Sequence, residues 1–168
     1  MTLYSLQDTD IWDQIKRDIG VGPGCYELRC ADTQSPDKFI RIGRLLETDD
    51  QGILYIGSSA ASVGGRVCQL RAALCAAANR FHFKNKLDHS CGLKYNERVQ
   101  KLYPLERLRI VLHSCATNEE VWKLEGILLH RYEEVFGEAP LFNEGRPKAL
   151  KAALESLSSA HIALQPIG

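Results

Sequence analysis

Apolar residues along this chain recur at two different spacings, and the switches between them outline its elements. Within residues 3–19, Ile11, Ile15 and Ile19 sit at helical spacing beside Leu3, Leu6 and Trp12, and Gly20 and Gly22 end the run. Gly22-Pro23-Gly24 predicts a turn, and Cys25 to Ala31 a strand. A polar loop, Asp32 to Asp37, leads to a β-like run from Phe39 to Leu46 and a turn at Asp49-Asp50-Gln51-Gly52. The short strand Ile53-Leu54-Tyr55-Ile56 then ends at Gly57. Val67, Leu70, Leu74 and Ala78 form one stripe and predict a helix from Arg66 to about Arg80.

Phe81 to Gly92 reads as a loop rich in Lys and His, and Leu93 to Leu102 as a short basic helix. From Leu105 to His113, Leu105, Leu108, Ile110 and Leu112 stand against Glu106, Arg107, Arg109 and His113, which predicts a strand. Thr117-Asn118-Glu119-Glu120 has the form of a capping box, opening a helix that runs to about Phe136 and stops at Gly137. Pro140 to Pro147 reads as extended or looped, and Lys148 to about Ala163 as helical, with Leu150, Leu154 and Leu157 on a stripe. Few strands with helices segregated among them predict an α+β fold: a small central antiparallel sheet of about three to four strands, flanked by helices.

Composition narrows the class. A chain of 168 residues, 45% hydrophobic and 25% charged, suits one ordinary globular domain that needs no staple. No apolar run approaches the roughly 20 residues that span a bilayer, and the N-terminus has neither the basic nor the apolar region of a signal peptide. The six cysteines, Cys25, Cys30, Cys68, Cys75, Cys91 and Cys115, include no C-x-x-C pair. They are expected as reduced, mostly buried thiols in a cytoplasmic protein without membrane partners.

The formal net charge is zero, but its distribution is uneven. Residues 66–109 hold ten Lys/Arg against three acids, whereas 1–50 hold six bases and ten acids, and 119–138 hold two bases and six acids. A basic middle between acidic flanks suits a phosphate-binding footprint, although such charges more often decorate solvated helix faces.

Glu125 is the sharpest single clue. It lies within Val121-Trp122-Lys123-Leu124-Glu125-Gly126-Ile127-Leu128-Leu129, where Trp122, Glu125 and Leu129 are expected on one helix face. A carboxylate on an apolar face is costly unless it is paired or bound to a metal. Earlier in the chain, Gly24-Cys25-Tyr26 and Tyr55-Ile56-Gly57 form two short strand-like tripeptides. Arg66 follows the second, and Leu141-Phe142-Asn143 comes after the Glu125 helix.

In this order, over residues 24–143, the set resembles the GIY-YIG nuclease superfamily. The resemblance implies two tyrosines, Tyr26 and Tyr55, on adjacent antiparallel strands and pointing into one cleft. It implies that Arg66 holds the scissile phosphate, that Glu125 ligates the metal, and that Asn143 belongs to the same site. Some family members also use a histidine or lysine after the arginine helix; His89, His82 and Lys84 are the candidates, with His89 preferred. Two departures stand out. Cys25 replaces the usual isoleucine. Arg66 comes eleven residues after Tyr55, one more than expected, which leaves Arg71 as a rival for the phosphate.

These residue types fit phosphodiester hydrolysis. A metal offsets charge on the phosphoryl and leaving oxygens, and a single carboxylate with several waters suits Mg²⁺, with Mn²⁺ as an alternative. A bidentate arginine can stabilise the transition state. The implied organisation is a helical extension at 1–23, a nuclease core at 24–146 and a helical tail at 147–168. The expected partner is DNA, with RNA left open, contacted further by Arg71, Arg80, Lys84 and Lys86. A compact restriction-type member would act as a homodimer. The leading expectation is therefore a Mg²⁺-dependent endonuclease of restriction, repair or mobile-element type. The alternative is a non-catalytic nucleic-acid-binding or interaction module on the same fold.

Overall fold

The computed structural model describes residues 2–35, 37–78 and 89–143. The fold is α+β, with a four-stranded antiparallel sheet between helices. The sheet strands are β1 (Leu3–Ser5), β2 (Gly24–Cys30), β5 (Ile53–Ser59) and β6 (Leu108–Ser114), in the spatial order β1-β6-β2-β5. A separate hairpin pairs β3 (Ile42–Gly43) with β4 (Thr48–Asp49). The helices are α1 (Ile11–Ile19), α2 (Val63–Ala78), α3 (Ser90–Lys94), α4 (Glu97–Leu102) and α5 (Asn118–Phe136).

The two sheet faces are sorted by register. Tyr26 pairs with Gly57 and Leu28 with Tyr55, but Arg29 pairs with Ile53, so Leu54 is an extra residue on β5. This bulge places Leu54 in one core cluster with Tyr26, Leu28 and Cys30, while Ile53 and Ile56 join Leu129 and Tyr132 in another. The first cluster is roofed by Val67, Leu70 and Leu74 of α2, so the helical stripe in the sequence is the buried one. Full burial of each such side chain contributes about 1.5–3 kcal/mol. α5 supplies Leu129 and Tyr132 to the second cluster, and Val121 of the same helix is also buried.

Several elements depart from the sequence reading. Residues 3–5 form a strand on β6 rather than part of a helical run, and Tyr4, Leu6, Ile11 and Ile15 belong to the main core. The buried Tyr4 hydroxyl donates to Asp18 Oδ2 at 3.2 Å. The expected strand from Phe39 to Leu46 shrinks to Ile42–Gly43, because Phe39 only bridges Ala31 and the chain reverses at Leu45-Leu46. Asp49 belongs to β4, and its carboxylate accepts from Gln51 N and Ile53 N, organising the turn that follows.

The helix expected from Arg66 begins at Val63, and the expected basic helix is split into α3 and α4. Leu105–Arg107 is a 3-10 turn before β6. At α5, Thr117 Oγ1 accepts from Glu120 N, and the Glu120 carboxylate reaches back to Ala116 N, one residue before the expected capping-box partner. Gly137 ends α5 with φ of 77°, a left-handed conformation that disfavours a side chain. The expected tail helix from Lys148 to Ala163 lies outside the described residues. Among the described residues, no helix is long and apolar enough to cross a membrane.

Candidate active site

The two tripeptides lie side by side on β2 and β5, and the facing pair Tyr26–Gly57 sets the geometry. A Cβ on Gly57 would lie 2.5 Å from Tyr55 Cε1 and 2.8 Å from Tyr26 Cζ and Oη. The glycine is therefore the space into which both rings lean. The rings meet with centroids 5.9 Å apart. His89, just before α3, completes the cluster: its ring lies 5.5 Å from Tyr55 edge-on, and Nε2 is 2.7 Å from Tyr26 Oη.

Burial dominates the chemistry of this cluster. Tyr26 is wholly buried and His89 is 1% exposed, while Tyr55 is partly covered. Burial, then the neighbouring Tyr55, pushes the Tyr26 hydroxyl well above its ordinary range, against the opposing pull of Arg66. Burial likewise raises Tyr55, with smaller contributions from Cys91 and Glu125, again opposed by Arg66. Burial and the Arg66 charge together lower His89 to about 4. All three groups are held neutral at physiological pH. His89 Nδ1 is buried with no hydrogen-bond partner, so in either tautomer one ring nitrogen is unpaired.

Arg66, on the first turns of α2, acts electrostatically on Tyr26, Tyr55 and His89, and its Nη1 donates to Gln69 Oε1 at 2.9 Å. Arg71, the rival, has Nε bonded to the Leu6 carbonyl at 2.9 Å, tying α2 to the N-terminal segment.

Glu125 reaches the same end of the sheet from the opposite face. Ser58, directly opposite Cys25 in the ladder, points toward α5, and its Oγ donates to Glu125 Oε2 at 2.8 Å. Burial raises the Glu125 carboxyl, and the Ser58 bond offsets part of that. The apolar face of α5 that carries it is Val121–Glu125–Leu129; Trp122, expected there, is instead 54% exposed. The helix turns by about 100° per residue, so the stripe drawn through the i−4 residue, Val121, is the one that meets the sheet.

Asn143 does not project into the tyrosine cluster. Its side-chain oxygen accepts from Ile56 N at 3.0 Å, and its Nδ2 donates to Ile56 O at 2.8 Å. Together with Phe142 N to Leu54 O, these bonds cover the free edge of β5 and hold the strand between Tyr55 and Gly57. Arg80, Lys84, Lys86 and His82 lie outside the described residues.

Three features of the site escaped the sequence reading. The first is Ser58, which strand alternation forward from Tyr55 puts on the face opposite that tyrosine. The second is the Cys25 thiol, which donates to Val121 O at 3.3 Å and fastens α5 to β2. The third is a buried polar cluster on the α5 face of the sheet, where Glu27 bonds Arg29 Nε at 2.8 Å and His113 Nε2 at 2.8 Å. Arg29 also stacks on Phe39, 5.1 Å from the ring centre.

No family model, curated protein or solved structure matches the chain. Among the described residues, no three His, Cys, Asp or Glu side chains gather as a metal cage. The donor set at Glu125 is one carboxylate beside one hydroxyl. Hard oxygen donors in that small number fit Mg²⁺ that keeps most of its waters, and do not fit zinc.

Proposed function

We propose that this protein is a metal-dependent endonuclease of the GIY-YIG type that hydrolyses DNA phosphodiester bonds. The observation that carries the reading is the convergence of Tyr26, Tyr55 and His89 under the charge of Arg66, with Glu125 anchored to Ser58 at the same strand end. Arg66 would bind the scissile phosphate and stabilise its developing charge. Tyr55, partly covered and expensive to ionise, would orient the attacking water as a neutral hydroxyl, and the wholly buried Tyr26 would hold the Tyr55 ring in place. His89, neutral and bonded to the Tyr26 hydroxyl, would fix the orientation of that hydroxyl and of the ring pair beside it. Glu125 would hold Mg²⁺, which supplies Lewis-acid stabilisation when bound. Asn143 would act by positioning β5.

The test is cleavage of supercoiled plasmid by purified protein with and without Mg²⁺, beside Glu125→Ala. Nicking or linearisation by the wild type only with metal is expected, and a loss of about 100-fold or more in the variant. Binding of DNA without Mg²⁺-dependent cleavage would replace this reading with a non-catalytic binding module.

A further inference from the structure

Cys25 and Cys115 sit together at the end of the sheet that carries Glu125. Their backbones are placed by the β2–β6 ladder, in which Cys25 faces His113 and Gly24 faces Ser114. Cys115 follows directly, its N–H bonded to the Pro23 carbonyl at 3.0 Å. Two residues along a strand return to the same face, so Cys115 is the diagonal neighbour of Cys25 on the α5 side. Burial, then the neighbouring Cys115, pushes the Cys25 thiol above its ordinary range. Cys25 is buried, whereas Cys115 is only partly covered, within a stretch whose neighbours Ser114 and Ala116 are exposed.

We propose that Cys25 and Cys115 form a reversible disulfide, a modification site that couples thiol redox state to the placement of α5. The oxidant is a low-molecular-weight disulfide. The partly covered Cys115 sulfur, having lost its proton to water, attacks one sulfur of the oxidant. The oxidant's S–S bond breaks, and the first small thiolate leaves and takes up a proton. Cys25 then loses its proton, and its sulfur attacks Cys115 Sγ. That step forms the protein disulfide and expels the second small thiol. Two protein thiols are oxidised and one small disulfide is reduced to two thiols.

The consequence follows from what Cys25 already touches. Its thiol donates to Val121 O, one turn before Glu125 on α5. In a disulfide the sulfur has no proton to donate, and this tie is lost. Diagonal strand neighbours stand about 7–8 Å apart, and a disulfide prefers Cα atoms within about 4.4–6.8 Å. The end of β6 must therefore draw toward β2. Cys115 lies one residue past β6 and three before α5, so that shift is passed to the first turn of the helix. The Ser58–Glu125 contact is the polar link that such a shift disturbs. The effect on cleavage rests on the nuclease reading; the bridge itself does not.

The experiment equilibrates the full chain in oxidised and reduced glutathione at several ratios. Free thiols are then alkylated, and peptides are mapped by mass spectrometry, with hydrogen exchange followed over residues 118–125. A Cys25–Cys115 peptide pair 2 Da below the summed reduced masses is expected, restored by dithiothreitol. Exchange in the first turn of α5 should rise several-fold in the oxidised wild type and not in Cys115→Ser. Plasmid cleavage, where present, should fall several-fold on oxidation and return on reduction. Oxidation that pairs other cysteines, or mixed glutathione adducts on Cys115 that never resolve to Cys25, would overturn the proposal. A mapped bridge with unchanged α5 exchange would overturn the coupling. Because mapping and exchange need no turnover, an inactive protein leaves both outcomes readable.

Discussion

Glu27 and Glu125 are carboxylates on the same side of one small sheet, yet their surroundings push them in opposite directions. Burial by itself would raise Glu27, but hydrogen bonds from His113 and Arg29 and the guanidinium charge outweigh it, and the group ends below its ordinary value. Glu125 has the Ser58 hydroxyl to set against burial and ends above. The contrast extends to whole neighbourhoods. Around Glu27 the charges are paired within the chain. Across the sheet from Glu125, at the same strand end, the titratable groups Tyr26, Tyr55 and His89 are all driven to their neutral forms, and His89 carries a buried unpaired nitrogen. A cluster that satisfies itself stabilises the fold. A cluster whose shifts come from desolvation is costly to maintain, and such clusters concentrate at functional sites.

The largest expected effect is on the self-satisfied side. Glu27→Ala should cost about 3–5 kcal/mol in urea unfolding, because Arg29, 7% exposed, would be left buried without its carboxylate. The pair replacement Glu27→Leu with Arg29→Met should recover most of that loss, as buried ion pairs exchanged for apolar groups often do. A single variant as stable as the wild type would erase the distinction between the two neighbourhoods.

Acid should act first on the other cluster. Folding lowers His89 from 6.5 to about 4, so the unfolded chain binds a proton that the folded chain refuses. Stability from this group is therefore fully present above about pH 6.5 and falls as pH drops toward 4, by up to about 3 kcal/mol. The lowered Glu27 contributes in the other window: its stabilisation is present above its ordinary 4.5 and lost only as pH falls below that. Unfolding measured between pH 7 and 4.5 should show a slope that His89→Phe flattens and Glu27 variants keep.

Gly57→Ala sharpens the comparison at the backbone. The new methyl must displace Tyr55 or Tyr26, at about 1–3 kcal/mol for overpacking. Near-ultraviolet circular dichroism should report the moved rings, and any cleavage activity should fall more steeply than stability.

The smallest effect carries the opposite sign. A carboxyl with a raised folded pKa opposes folding at neutral pH, so Glu125→Gln should hold or raise stability, by up to about 1 kcal/mol, in the same urea titration. A large loss would show that Glu125 is a structural partner like Glu27.

The periods in the sequence located most elements correctly, because helix and strand spacing are local properties of an amphipathic chain. The stripe Val67–Leu70–Leu74 is buried as drawn, Thr117 caps α5, and Gly137 ends it. The resemblance, too, could be drawn from sequence alone, since the order of tripeptides, arginine, carboxylate and asparagine needs no coordinates. Where local pattern ran out, long-range pairing decided. Leu3–Ser5 became a strand because β6 offered an edge. Phe39 to Leu46 did not, because its partner is a two-residue hairpin strand. Trp122 turned outward because the sheet meets α5 along Val121.

The site divides in the same way. That Glu125 sits on an apolar helix face was readable from its neighbours. That it meets Ser58 on the α5 side, while the tyrosines face α2, depends on how α5 and α2 dock on the two faces that strand alternation sets up. That His89 meets Tyr26, 63 residues away, and that Asn143 closes the β5 edge rather than entering the cluster, depend on folding distant segments onto one strand end. Sequence determines which side chains are available and which faces are apolar, through short-range spacing. Only tertiary structure decides which of them desolvate one another, and desolvation sets the protonation state each group brings to the site.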